Sequence, residues 1–190
     1  MLRSTLSAAA VVLFTLAPGV HAGDRYTLDP THTYPSFEIS HLGFSTQRGR
    51  FNETSGSIVL DRAGKALSAD IRIRAASVDT GLAKLEDHLR NADFFHADKH
   101  PEIRFIGSWA RFDGDRPVEL SGEFTLLGVT RPLTLTISHF QCGVHPKTKK
   151  DVCGADASAT IKRSDYGMTY GVPAIGDEVR LLIQVEAVKD

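Results

Sequence analysis

Between residues 88 and 101 the chain reads HLRNADFFHADKHP, which sets His88, His96, His100, Asp93 and Asp98 around the pair Phe94-Phe95. Such residues serve two chemistries: ligation of a transition metal, or proton transfer by a histidine held against a carboxylate. A strong zinc signature needs three or four convergent ligands at spacings such as HExxH, and none occurs. His96 and His100 are four apart and would share a helical face, but Pro101 and the turn-prone Ala97-Asp98-Lys99 argue against helix there. His32, His41, His139 and His145 are scattered. No metal is expected. Catalysis is equally unsupported: there is no GxSxG elbow, Ser164-Asp165 with a remote histidine is not a triad, and glycines 43, 49 and 56 form no phosphate loop. Neither a catalytic residue nor a cofactor is expected.

The stretch closes the chain's one helical pattern. Across Leu82–Asn91, Leu82, Leu85 and Leu89 fall on one face while Lys84, Asp87, Arg90 and Asn91 face elsewhere, with Asp79 or Thr80 as the candidate cap. Leu82, Leu85, Leu89, Phe94 and Phe95 are therefore expected to pack over one end of the body. His88, Asp93, His96 and His100 become the wetted side of a greasy cap.

Nearly everything else from residue 23 onward alternates with period two, the mark of antiparallel strands with one dry face. Leu67, Ala69, Ile71, Ile73 and Ala75 form one such row, and Ile103, Phe105, Gly107 and Trp109 another. Leu120, Gly122, Phe124 and Leu126 follow, then Leu133, Leu135 and Ile137, and last Val179, Leu181, Ile183 and Val185. Turns are expected at Arg62–Lys65, Asp113–Asp115 and Leu127–Pro132. About eight strands in sequence order make a meander, and closing it into a barrel removes its edges.

An eight-stranded barrel is at the size where side chains either fill the interior or leave room for one ligand. Gly107, Gly122, Ala155, Ala157 and Ala159 are small for a filled core. An apolar tunnel is expected, lined by Phe37, Ile39, Phe51, Ile71, Ile73, Phe105 and Phe124. Leu126, Leu135, Ile137, Ala157, Ala159, Leu181 and Ile183 complete its walls. The alternative is a core filled by Phe37, Phe51, Phe105, Trp109 and Phe124. His41 and Arg163 are the polar candidates for a ligand head group at the mouth; the other reading of Arg163-Ser164-Asp165-Tyr166 is a tie between strand ends by charge-assisted hydrogen bonds.

The first 22 residues carry one basic residue, Arg3, an apolar run from Leu6 to Leu16, Pro18-Gly19 and then Val20-His21-Ala22. This is the pattern of a secretory signal peptide cut after Ala22, leaving one domain over residues 23–190. The net charge of −1 becomes −2 once Arg3 is removed; no basic field marks a nucleic-acid binder. Cys142 and Cys153 flank the loop-like GVHPKTKKDV, and in an oxidising compartment a disulfide between them is expected.

The chain from Tyr26 onward resembles the YceI-like family of bacterial periplasmic proteins. The resemblance rests on His41-Leu42-Gly43-Phe44-Ser45 with Gly49-Arg50-Phe51, on Asp87-His88-Leu89 through Ala92-Asp93-Phe94-Phe95, and on Pro101-Glu102-Ile103-Arg104-Phe105. It continues in residues 122–132 (GEFTLLGVTRP), 161–167 (IKRSDYG) and 176–179 (GDEV). It implies an all-β, closed, antiparallel, eight-stranded lipocalin-like barrel with a short helical insertion after the fourth long strand. It further implies a periplasmic, non-catalytic carrier of a polyprenyl compound or isoprenoid quinone, in transient contact with a membrane or membrane protein and compatible with a dimer. The alternatives are an enzyme acting on such a lipid, and a stress-related structural protein with an incidental lipid.

Overall fold

The computed structural model describes residues 23–190, so the signal peptide expected over residues 1–22 lies outside the described residues. Eleven strands and one α-helix follow in order: β1 (Asp24–Leu28), β2 (Tyr34–His41), β3 (Ser45–Phe51), β4 (Thr54–Asp61), β5 (Ala66–Arg74), β6 (Val78–Asp79), α1 (Ala83–Arg90), β7 (Glu102–Asp113), β8 (Arg116–Leu126), β9 (Val129–Val144), β10 (Asp151–Lys162) and β11 (Ile175–Lys189). The helix comes after β5, the fourth strand longer than five residues, and the short β6.

The sheet runs β1-β4-β5-β7-β8-β9-β10-β11 and closes where β11 pairs back onto β1, with Tyr26 opposite Lys189. Every pairing is antiparallel, and the ring has eight strands. Its last strand is long enough to serve two partners: residues 187–189 of β11 pair with β1, and residues 175–184 with β2. β2 and β3 thus extend the barrel wall beyond β1 and β4.

The break between β1 and β2 is built by side chains. Asp29 Oδ1 accepts from the Thr31 amide at 2.9 Å and its hydroxyl at 2.6 Å, while Oδ2 meets His32 Nδ1 at 2.8 Å. Thr33, fully buried, then donates its hydroxyl to the Glu186 carbonyl at 3.1 Å and accepts the Glu186 amide at 3.2 Å, docking the kink onto β11.

Alternation places most inward residues as the sequence suggests, with instructive exceptions at bulges. In the β7–β8 ladder Gly107 opposes Gly122 but Trp109 opposes Ser121, so Ser108 is an extra residue. That slip turns Trp109 outward, where it is 58% exposed, and brings Ala110 opposite the buried Leu120. A second slip at Ser138 in β9 puts Phe140 opposite Ala155.

Gly107 and Gly122 also differ from expectation, since neither contributes tunnel space. A Cβ on Gly107 would lie 2.7 Å from the Leu120 side chain, and one on Gly122 would strike the Ile106 carbonyl. These glycines let two strands approach and a leucine fill the gap.

Helix α1 starts one residue later than its leucine stripe suggests. Leu82 is the N-cap, extended in backbone and 59% exposed, so it does not join Leu85 and Leu89. Asp79 and Thr80 do not cap the helix; Glu86 reaches back instead and accepts from the Thr80 amide at 2.9 Å. Beyond α1, His96 has a positive φ of 44° and breaks any helical continuation. The His96 and His100 rings meet edge to face at 5.7 Å.

Candidate functional site: a divided apolar barrel interior

The barrel is hollow. A cavity of about 280 Å³ lies under α1, and a second of about 100 Å³ lies toward the far end, where the chain termini of the ring meet. Pro35 and Ile183 belong to the walls of both, so they form the waist between them.

The cavity under the cap brings together Phe37, Ile39 and Phe51 from β2 and β3, Ile73 from β5, Phe124 and Leu126 from β8, and Leu181 and Ile183 from β11. Leu85, Leu89, Phe94 and Phe95 form its roof. Ile71, Phe105, Leu135, Ile137 and Ala157 line the far cavity instead. Ala159 lines neither, although it faces Leu181 in the ladder, and Leu82 is outside in solvent. The sequence reading overlooked Met168, in the aperiodic loop after β10, and Ile175, the first residue of β11, which a register shift separates from that strand's alternation. It also overlooked Phe140 in the far cavity, where the slip at Ser138 hides the alternation, whereas Ala155, expected as a small inward residue, does line that cavity.

Three rings join roof to wall. Phe51 and Phe95 stand edge to face with centroids 5.3 Å apart, Phe37 lies 6.0 Å from Phe51, and Phe37 meets Phe95 at 6.3 Å. Gly49 makes room for this trio, because a Cβ there would collide with the Phe37 ring.

The wall is incomplete on one side. β3 pairs with β2 along residues 45–50 but with β6 only at Arg50 and Phe51, leaving residues 45–49 without a second strand partner. Gln47 and Arg48 on that edge, and Thr80 and Leu85 across from it, all border the cavity. This gap in the strand ladder is the candidate mouth.

Arg163 lines this cavity near the His41–Ile175 pairing of β2 and β11, and it is 1% exposed. Its Nε donates to the Gly176 carbonyl at 2.8 Å, Nη1 to Met168 at 3.1 Å and Nη2 to Ile175 at 3.1 Å. The guanidinium thus staples Met168 and the start of β11 to the end of β10, as the strand-tie reading expects. Burial pushes its pKa down, and the nearby Asp177 carboxylate opposes that. Asp177 is itself held below the usual carboxylate range by the Ser164 amide at 2.9 Å and hydroxyl at 2.8 Å. A guanidinium has five N–H donors; these three bonds leave one on each terminal nitrogen for a ligand oxygen. His41 borders the same cavity from the end of β2.

The histidine–carboxylate pair of the opening stretch is real but lies outside. His88 Nε2 meets Asp93 Oδ2 at 3.0 Å, and the His88 ring packs against Phe94 at 4.9 Å and Tyr170 at 5.3 Å. Neither His88 nor Asp93 lines the cavity. Among the described residues, the group with metal-ligand spacing is Asp29, His32 and Glu186, at the β1–β2 kink and not in the 88–101 stretch.

A family model described as the YceI-like domain matches residues 26–187. A UPF0312 protein of Pseudomonas aeruginosa is 34% identical over the full length of both chains. The crystal structure of the Campylobacter jejuni YCEI protein superposes with a TM-score of 0.67 at 30% identity, covering 80% of this chain and 90% of that one. A polyisoprenoid binding domain from Saccharophagus degradans shares the fold at 18% identity, with a TM-score of 0.64 over 90% of this chain and all of its own.

Proposed function

The chain belongs to the YceI-like family, and from that premise we propose that it is a periplasmic binding protein that carries an isoprenoid-type lipid inside its barrel. The observation that carries this reading is a hollow barrel whose cap-end cavity is walled mainly by hydrocarbon and includes one buried guanidinium in its lining. A polyprenyl chain suits the walls, and a head-group oxygen, from a quinone carbonyl or a phosphate, suits the spare donors of Arg163 with His41 nearby. The same fold in a domain described as polyisoprenoid-binding points the same way.

Magnitudes allow it. Each buried methylene contributes about 0.8 kcal/mol, so two or three isoprene units approach roughly 8 to 12 kcal/mol before the cost of ordering the chain. Micromolar affinity needs only about 8 kcal/mol. An apolar cavity of ~150 Å³ admits one benzene, so the cap-end cavity has space for roughly twice that much carbon, and a longer chain must pass the waist or extend through the mouth. Such a site selects by length and girth, and nothing in it calls for bond-making chemistry.

Export is part of the proposal: residues 1–22 act as a cleaved signal peptide, and the Cys142–Cys153 bridge suits an oxidising compartment. Among the described residues no helix is long and apolar enough to cross a membrane. Mass spectrometry of an organic extract of the purified protein is expected to release a polyprenyl compound or isoprenoid quinone. A lipid-free protein that also binds no added polyprenyl alcohol or quinone would overturn the reading.

A further inference from the structure

Large apolar side chains stand in solvent around the mouth. Leu42 and Phe44, in the β2–β3 turn, are 50% and 88% exposed; Leu82 at the start of α1, and Tyr170 and Val172 in the loop before β11, are exposed as well. The turn and the loop are tied together, since the Leu42 amide donates to the Ala174 carbonyl at 3.0 Å. Each of the three segments also runs within a few residues into a cavity wall, at His41, Leu85 and Ile175. Residues 41–46 (HLGFST), 80–83 (TGLA) and 169–174 (TYGVPA) contain no Asp, Glu, Lys or Arg.

Folding does not account for the turn's composition. Leu42 and Gly43 both have positive φ, 56° and 74°, a conformation that Asn or Gly adopts with less strain than Leu. The same dipeptide recurs at Leu127-Gly128 with φ of 53° and 75°, but there the leucine packs against the core. Leu42 accepts the same backbone strain and stays in water.

We propose that this rim is a membrane-docking surface that seats the mouth beside β3 on a lipid bilayer, so that a chain passes between bilayer and cavity without crossing water. The proposal rests on the lipid-carrying reading above and names the partner from which that lipid comes. A bilayer fits because the amides of the protruding Leu42, Phe44 and Val172 are already bonded within the protein, as immersion in an apolar medium requires. Phe44 donates to His41 at 3.0 Å, Val172 to Thr169 at 3.1 Å and Ile175 to Gly171 at 2.7 Å. The Tyr170 ring, with its polar tip, suits the membrane interface. Continuity with an apolar cavity that opens inside the rim distinguishes it from a surface for a folded partner.

The test is co-sedimentation of the purified protein with vesicles of phosphatidylethanolamine and phosphatidylglycerol. The double variant Leu42→Asn, Phe44→Ser removes the protrusion and gives the turn a residue it favours, so folding is preserved. Val144→Asp, in the β9–β10 hairpin at the opposite end, is the control. Wild type and Val144→Asp are expected to partition onto the vesicles, and the double variant to lose about tenfold or more of that partition. All three are expected to bind a polyprenyl alcohol delivered in detergent equally well. Equal vesicle binding by the double variant, or none by wild type, would overturn the docking surface. A wild-type dimer that the double variant splits, without vesicle binding, would assign the rim to a second copy and overturn it too. Failure of all three proteins to take up detergent-delivered polyprenyl alcohol would instead overturn the lipid-carrying reading.

Discussion

The ring of Phe95, in the segment that follows α1, stands edge-on to the ring of Phe51 in β3 with 5.3 Å between centroids, so the roof of the cavity is fastened to its wall by an aromatic contact. Both rings are buried and both line the cavity. Phe95→Ala should therefore cost about 3 kcal/mol, the low end for a buried phenylalanine because space already adjoins it. Urea denaturation gives the number. The variant should also release a bound lipid faster, which stopped-flow transfer to acceptor vesicles would record; an unchanged release rate would remove the roof from the exit path.

Ala157 lies opposite Ile137 and Ile183 and faces the far cavity, whereas Ala159 lines neither space. Ala157→Leu is expected to fill the far cavity, leave the barrel folded and shorten the longest lipid chain retained, as read by mass spectrometry of bound lipid. Ala159→Leu should instead show the strain of overpacking, roughly 1 to 3 kcal/mol, without a length effect.

Arg163 donates to three backbone carbonyls, of Met168, Ile175 and Gly176. Arg163→Met strips those donors while leaving the carbonyls in place, and a loss of about 3 kcal/mol or more is expected by chemical denaturation. Arg163→Lys, which keeps the charge but not the planar fork, should recover only part of it.

Cys142 and Cys153 are directly opposite in the β9–β10 ladder, with Cα atoms 4.0 Å apart and the sulfurs bonded. Closing so short a loop is worth about 3 kcal/mol in the chain-entropy model. The double variant Cys142→Ser, Cys153→Ser should lose an amount of that order in guanidinium unfolding, and reductant should destabilise wild type but not the variant.

Asp29 gives stability a pH signature. Hydrogen bonds from the Thr31 side chain and then from His32 lower its carboxyl pKa from 3.8 to about 2. A carboxyl depressed in the folded state contributes stability that is fully present above its unfolded value and lost as pH falls through the folded one. His32, raised above 6.5 by its hydrogen bond to Asp29, contributes below that value and loses its share as pH rises through its folded pKa. The stability difference between wild type and Asp29→Asn is thus expected to peak between about pH 4 and 6.5 and shrink on both sides. Denaturation midpoints across that range would show it; a flat difference would dismiss the coupling.

Period-two alternation determined antiparallel strands and which residues face inward along uninterrupted ladders, because each residue's side follows from its parity; the leucine stripe placed the helix, and closure into a barrel followed from the need to remove edges and from the family resemblance. Only tertiary structure decided what parity cannot count. One extra residue at Ser108 reverses everything after it and puts Trp109 in solvent, while Gly107 is filled by Leu120 from the next strand. Leu82 fits the helical stripe but precedes the first helical turn, so its side chain has no neighbour to cover it. Arg163 is charged by composition and buried by context, because its carbonyl partners come from Met168 in an aperiodic loop and from Ile175 and Gly176 at the irregular start of β11. The division of the interior at Pro35 and Ile183, the gap beside β3 and the apolar rim around it arise from strands brought together across the whole chain, and pairings at that distance leave no local pattern to read.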